Sequence, residues 1–134
     1  MATNTLRSTA RYKDFYINFD AHPVRKDLYV LEDTDAIKRS IKNIIFTDPG
    51  ERFFSPLLGS GIRRALFENI SPETTNIIKT FITASIENFE PRARLLDVIV
   101  NPSTDENAYY IQITFTTINN PAPIIFNVLL SRVR

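Results

Sequence analysis

The rhythm of apolar and polar positions changes twice along the chain. From Tyr12, the residues Phe15, Ile17 and Phe19 alternate with Asp14, Tyr16 and Asn18, the period-two pattern of a half-buried strand. Asp20-Ala21-His22-Pro23 ends it. A second extended stretch, Leu28 to Leu31, runs into Glu32-Asp33-Thr34-Asp35, where Asp33 or Thr34 supplies a helix cap and acids suit the positive end of the helix dipole. Ile37, Ile41, Ile44 and Ile45 then follow at helical spacing, with Lys38, Arg39 and Lys42 on the solvated face. Thr47-Asp48-Pro49-Gly50 stops that helix, because proline cannot extend it and Pro-Gly suits a tight turn. A loop through Pro56-Leu57-Leu58-Gly59-Ser60-Gly61 precedes a short helix containing Ile62, Leu66 and Phe67. Ser71-Pro72-Glu73 carries the cap, proline and acid of a helix start. The helix it opens places Ile78, Phe81, Ile82, Ser85, Ile86 and Phe89 on one face, and Pro91 closes it.

The second change of rhythm comes after Pro91. Leu96, Val98 and Val100 form one alternating set, and Tyr109, Ile111, Ile113 and Phe115 form another. Ile124 to Val133 forms a third, apolar on both faces: Ile124, Phe126, Val128 and Leu130 on one, Ile125, Leu129 and Val133 on the other. Asn101 to Asp105 and Asn119 to Pro123 read as the connections, which makes an antiparallel meander the economical topology. The predicted fold is a single α+β domain, with about three helices packed on the C-terminal antiparallel sheet and the N-terminal strand added to that sheet. Residues 1–11 are expected to be a mobile arm and residues 12–134 the domain. The doubly apolar last strand leaves two accounts open: cover by the helices or the N-terminal strand, or an edge left open for strands of another protein.

Composition narrows the function more than it changes the fold. At 134 residues with 43% apolar content, the chain is large enough to bury one core. Sixteen basic and 15 acidic residues leave a net charge of +1, too small a field to recruit nucleic acid or an anionic membrane. No cysteine is present, which removes disulfides, thiolate catalysis and cysteine-ligated metals. The first thirty residues hold no apolar signal-peptide core and no segment reaches the length of a membrane span, so a soluble protein without a leader is expected. The three glycines lack any phosphate-cradling spacing. Ten phenylalanines and five tyrosines serve either an aromatic core, the commoner case, or anchors for partners.

Candidate chemistry is thin. His22 is the lone histidine, before a proline in a loop, and a metal site or a catalytic triad would rest on it alone. Glu87 and Glu90 lie on one helical turn and so cannot flank a scissile bond from opposite sides. Asp14, Asp27 and Glu51 have no spacing that selects them. Scattered basic residues such as Lys13, Arg25, Arg63 and Arg94 read as solvated faces. Glu90-Pro91-Arg92 is more pointed, since proline fixes the backbone between an acid and a base where helix hands over to sheet. As a surface ion pair it is worth about 0 to 1 kcal/mol. Desolvated against a partner's charges, the same groups matter far more.

Several segments, in order, resemble the baseplate wedge and sheath-initiator family of contractile phage tails, also called lysozyme-like, which has a counterpart in type VI secretion baseplates. They are Lys26-Asp27-Leu28, Asp35-Ala36-Ile37-Lys38-Arg39-Ser40-Ile41, Thr47-Asp48-Pro49-Gly50-Glu51-Arg52, Pro56-Leu57-Leu58-Gly59-Ser60-Gly61, Leu66-Phe67-Glu68 and Glu90-Pro91-Arg92. Leu58 stands where the family often has an aromatic residue. The resemblance implies a structural, non-enzymatic virion protein of the tail baseplate, made in the host cytoplasm and present in six copies beside the tail tube. It implies attachment to wedge proteins through Glu90, Pro91 and Arg92. It further implies initiation of the tail sheath by strand exchange on the last strand, at Ile125, Asn127, Leu129, Ser131 and Val133. No cofactor, metal, nucleic acid or membrane is expected. The alternative is a peptidoglycan hydrolase of the tail. If Glu90 and Arg92 make ion pairs with wedge helices, Arg92→Ala should abolish wedge binding and leave the melting temperature nearly unchanged.

Overall fold

The computed structural model describes the backbone of residues 13–15 and 30–132, and the side chains of residues 33–132. The chain divides into two compact units, residues 1–37 and 38–134. In the first, β1 (Lys13–Phe15) pairs antiparallel with β2 (Val30–Glu32) as a separate two-stranded sheet. The N-terminal strand is therefore not shown as an addition to the C-terminal sheet. Ile17, Phe19, His22 and the proposed arm lie outside the described residues. Asp33 follows with φ of 47°, a left-handed conformation that Asp tolerates because its short side chain can bond locally. Its carbonyl accepts the Ile37 N–H at 3.1 Å, the first bond of α1 (Thr34–Phe46).

The second unit holds most of α1, then α2 (Ile62–Leu66), α3 (Pro72–Phe89) and three long strands, β3 (Ala93–Ser103), β4 (Ala108–Thr117) and β5 (Ile124–Ser131). The strands form an antiparallel sheet in the order β3-β4-β5. The helical stripe of α1 is buried as its spacing predicts: Ile37, Ile41, Ile44 and Ile45 are all at most 4% exposed. β-branched residues cost up to about 0.7 kcal/mol each in helix propensity, whereas burying an isoleucine gains about 1.5 to 3 kcal/mol. Packing wins, and the segment is helical. Ser71 caps α3 by accepting the Thr74 N–H at 3.2 Å, with Pro72 in the first turn. Thr74, Ile78, Ile82, Ser85 and Ile86 form its buried face, narrower than the sequence suggests, since Phe81 is exposed and Phe89 half-buried.

The core is built from isoleucine. Ile62, Ile78, Ile82, Ile86, Ile111 and Ile113 are all within 1% of full burial, and among the described phenylalanines only Phe115 is fully buried. Aromatic residues enter the described core only as Tyr109 and Phe115, and the other described phenylalanines are exposed or half-buried. β4 alternates as predicted, with Tyr109, Ile111, Ile113 and Phe115 facing the core. β3 departs from its pattern. A bulge between Leu95 and Asp97 inserts an extra residue, so that Leu96 turns to solvent while Val98 stays buried. Asn101 and Pro102, read from sequence as a connection, belong to β3 and pair with Tyr110 and Tyr109.

Candidate functional site

Two places in this second unit combine unusual geometry with the residues singled out from sequence. The first is the turn that carries the chain from α3 into β3. Glu90 is the C-cap of α3, its N–H donating to Ile86 O at 2.9 Å. Its own carbonyl accepts the Ala93 N–H at 3.2 Å, which closes a four-residue turn with Pro91 at the position that proline's fixed φ favours. The turn folds two side chains onto each other. Arg92 Nε donates to Glu90 Oε1 at 2.6 Å and Arg92 Nη2 to Glu90 Oε2 at 2.8 Å, a bidentate fork that suits a guanidinium. Ser40 on α1 adds a hydrogen bond to the same carboxylate. Glu90 is only 2% exposed, whereas the Arg92 side chain is 31% exposed and Pro91 lies on the surface.

This geometry revises the expectation for Arg92→Ala. The pair is intramolecular and one member is buried, so loss of Arg92 strands a charge inside the protein. Burial by itself would raise the Glu90 pKa, but the hydrogen bonds from Arg92 and Ser40 and the charge of Arg92 outweigh it and hold the carboxyl below its usual range. A general acid for glycoside hydrolysis needs the opposite shift. Glu87, the acidic residue next to it in sequence, is exposed. Among the described residues no group of three acidic or histidine side chains could hold a metal, and no helix is long and apolar enough to cross a membrane.

A pH dependence follows. Because the folded-state pKa of Glu90 lies below the unfolded carboxyl value of about 4.3, its contribution to stability is complete above that pH and is lost as pH falls through the lowered value. Glu73, lowered by its own backbone N–H and by Ser71 at the start of α3, adds a separate dependence of the same sign. Calorimetry in steps from pH 6 to pH 2 is therefore expected to give a steeper fall in melting temperature for the native protein than for Glu90→Gln. Parallel curves would show that Glu90 contributes nothing.

The second place is the free side of β5. The Arg132 N–H donates to Asn107 O at 3.0 Å, and Ser131 sits opposite Ala108. Alternation in an antiparallel ladder then turns the backbone groups of Ile124, Phe126, Val128 and Leu130 toward β4 and those of Ile125, Asn127, Leu129 and Ser131 outward. No strand among the described residues pairs with that side. The side chains of the outward set are exposed too, Ile125 at 58% and Leu129 at 51%. Ile124 to Ser131 carries no charge and no proline, the usual protections of an edge. The opposite edge differs. On β3 the outward set includes Pro102, which has no N–H to offer, and α3 lies against that strand. Beside the C-terminal half of β5 runs a cleft of about 420 Å³ whose apolar wall is Ile45, Phe46, Ile62, Leu66, Phe67 and Leu130 and whose lining also includes Arg132 and the Arg63–Asp48 ion pair. Val133 lies outside the described residues.

A third feature escaped the sequence reading. Phe53 and Phe54 are fully exposed and Leu57 nearly so, on a loop that is nonetheless braced. Gly50 N–H donates to Pro56 O at 2.7 Å, Ser60 N–H to Thr47 O at 3.1 Å, and Ser60 Oγ to Ile45 O at 2.7 Å. Adjacent aromatics in a stretch without periodicity, between Gly50 and Pro56, were the available signal.

Among the described residues, an unpaired and uncharged sheet edge, a charged turn and a braced apolar loop are the surface features that mark this class of α+β domain. Comparison with known proteins makes that class specific. The sequence profile of the family described as baseplate wedge protein gp25 matches residues 31–122. Baseplate wedge protein gp25 of Enterobacteria phage T4 is 37% identical over 89 residues, covering 66% of this chain and 67% of that protein. The chain belongs to the baseplate wedge protein gp25 family and is a structural baseplate subunit. Among solved structures, a Geobacter sulfurreducens protein provisionally named a tail lysozyme superposes with a TM-score of 0.72 at 26% identity, covering 79% of this chain and 97% of that one. A chain of the six-fold symmetrised baseplate of the anti-feeding prophage shares the fold, with a TM-score of 0.63 at 24% identity over 92% of this chain and 87% of its own. A chain of the postcontracted pyocin R2 baseplate does so at 0.54 and 22%, over 78% and 92%.

Proposed function

We propose that this subunit attaches to the wedge through the Glu90-Pro91-Arg92 turn and starts the tail sheath by accepting sheath strands on β5. The open edge of β5 carries the reading. Its outward N–H and C=O groups at Ile125, Asn127, Leu129 and Ser131 offer a strand the register it needs, main-chain bonds supply affinity, and the flanking apolar side chains supply selectivity. Val133, outside the described residues, is proposed to take part with them. In the turn, Glu90 acts as a positioning residue: it holds the Arg92 guanidinium in one orientation, and Pro91 and Arg92 meet the wedge. The exposed loop at Phe53, Phe54 and Leu57 adds an apolar anchor to that attachment. Six copies around the tail tube, assembled in the host cytoplasm, complete the reading.

The two attachments are separable. Leu129→Pro removes an outward N–H that β4 does not use, and its ring blocks an incoming strand while the inner ladder survives. Tails assembled with Leu129→Pro are expected to contain the subunit in normal amount and to lack polymerised sheath, as judged by electron microscopy and mass spectrometry of the particles. Sheath of normal length on such tails would refute strand acceptance at β5.

A further inference from the structure

We infer that the unassembled protein covers its own β5 edge by pairing with a second copy of itself, as a weak two-fold dimer. The inference rests on the register of β5 alone and stands whether or not sheath strands use the same edge. An isologous antiparallel contact places residue i of one copy opposite residue j of the other, and j opposite i. Because the outward backbone groups belong to odd-numbered residues, a two-fold axis between the Asn127 residues matches the donors and acceptors of Ile125, Asn127 and Leu129, while Ser131 falls opposite Pro123, which offers a carbonyl but no N–H. Ile125 then faces Leu129 of the second copy, Leu129 faces its Ile125, and the two Asn127 amides meet at the axis.

The side chains are complementary in this register. On the outer face, the pair joins the two exposed aliphatic residues of each strand. On the core face, Phe126 lies opposite Val128 of the second copy, and Ile124 of the second copy comes beside Leu130, at the mouth of the cleft lined by Phe46, Leu66 and Phe67. Neither face brings a charge against a charge, because the strand from Ile124 to Ser131 has none. Shifting the register by one residue would set outward groups against inward ones and lose the bonds. The result is a continuous six-stranded sheet. One strand pair and a cleft bury less than the roughly 1,200 Å² of a stable interface, so the dimer is reversible and yields to a better strand.

The chain's lack of cysteine makes the register testable in the purified full-length protein. Cα atoms of a directly bonded antiparallel pair lie about 5.5 Å apart, within disulfide range. Under a mild oxidant, Asn127→Cys is expected to cross-link to itself. Ile125→Cys alone should not, and an equimolar mixture of Ile125→Cys and Leu129→Cys should cross-link. Analytical ultracentrifugation of the native protein should show a concentration-dependent monomer–dimer equilibrium that Asn127→Pro abolishes, with its circular dichroism and melting temperature close to native. A monomer at every concentration up to the solubility limit overturns the inference. So does a dimer that survives Asn127→Pro, or self-cross-linking of Ile125→Cys equal to that of Asn127→Cys.

Discussion

Replacing Arg92 with alanine is expected to lower folding stability by about 3 kcal/mol or more, because it leaves the buried Glu90 carboxylate without its charged partner. In a domain of this size, that shifts the melting temperature by on the order of 10 °C. Two observations set the magnitude. Glu90 is 2% exposed beneath its partner, and Ser40 is left as a neutral donor to carry the charge. Arg92 is itself partly exposed, which keeps the loss near the lower end of the range for fully buried pairs. Arg92→Lys should be intermediate, since a lysine keeps the charge and loses the fork. Removing both partners together, as Glu90→Leu with Arg92→Leu, should recover part of the stability, because the buried charge is gone and only the neutral Ser40 hydroxyl and the backbone N–H at position 92 lose their acceptor. Chemical denaturation of the four proteins measures the series. The double variant then tests function cleanly: it is folded and lacks the guanidinium. If it still enters wedges normally, the assignment of Arg92 as the wedge contact is wrong, whatever the single variant does.

That test would not have been designed from the sequence, and the reason is instructive. Glu90-Pro91-Arg92 stands out in a linear reading because proline separates opposite charges, but burial depends on what covers the turn. The covering group that matters, Ser40, is fifty residues away in the chain. Features set by local periodicity were legible: the isoleucine stripe of α1, the capped start of α3 and the alternation of β4 all appear where the pattern puts them. Features set by a single backbone event were not. The bulge at Leu96 reverses that residue's face without leaving a mark in the hydropathy pattern, and Pro102 reads as a loop residue because its tolerance in a strand depends on lying at the edge. Phenylalanine misled for a related reason. Apolar character measures the gain from burial and does not say whether this chain or another supplies the cover. Phe53 and Phe54 are as apolar as Phe115 and are fully exposed. The doubly apolar β5 was legible as an anomaly, and the hydrogen-bond phase of the ladder shows which residues face outward.

The loop that carries Phe53 and Phe54 depends on one position more than on any other. Gly59 has φ of 144°, and a methyl group built there would lie 2.6 Å from Thr47 O, 2.7 Å from the Asp48 carbonyl carbon and 2.7 Å from Pro49 N. All three are backbone atoms, so the clash cannot be relieved by turning a side chain. Gly59→Ala is expected to cost roughly 2 to 6 kcal/mol, combining a backbone conformation unfavourable for alanine with forced displacement of the neighbouring strand of chain. Ser60 would move with it, and its bonds to Thr47 O and Ile45 O close the base of the loop. The loss should therefore be partly local, with proteolytic cleavage between Pro49 and Leu58 appearing at temperatures below the global transition. Phe53→Ser with Phe54→Ser makes the complementary change, since it removes the exposed rings and leaves the brace intact; its melting temperature should stay within a degree or two of native. Both variants should enter wedges poorly if the loop is an anchor, one because the rings are no longer held in place and the other because they are gone. If the serine variant assembles as well as the native chain, the exposed rings have no part in attachment, and the rigidity imposed at Gly59 serves only to close the end of α1 over the core.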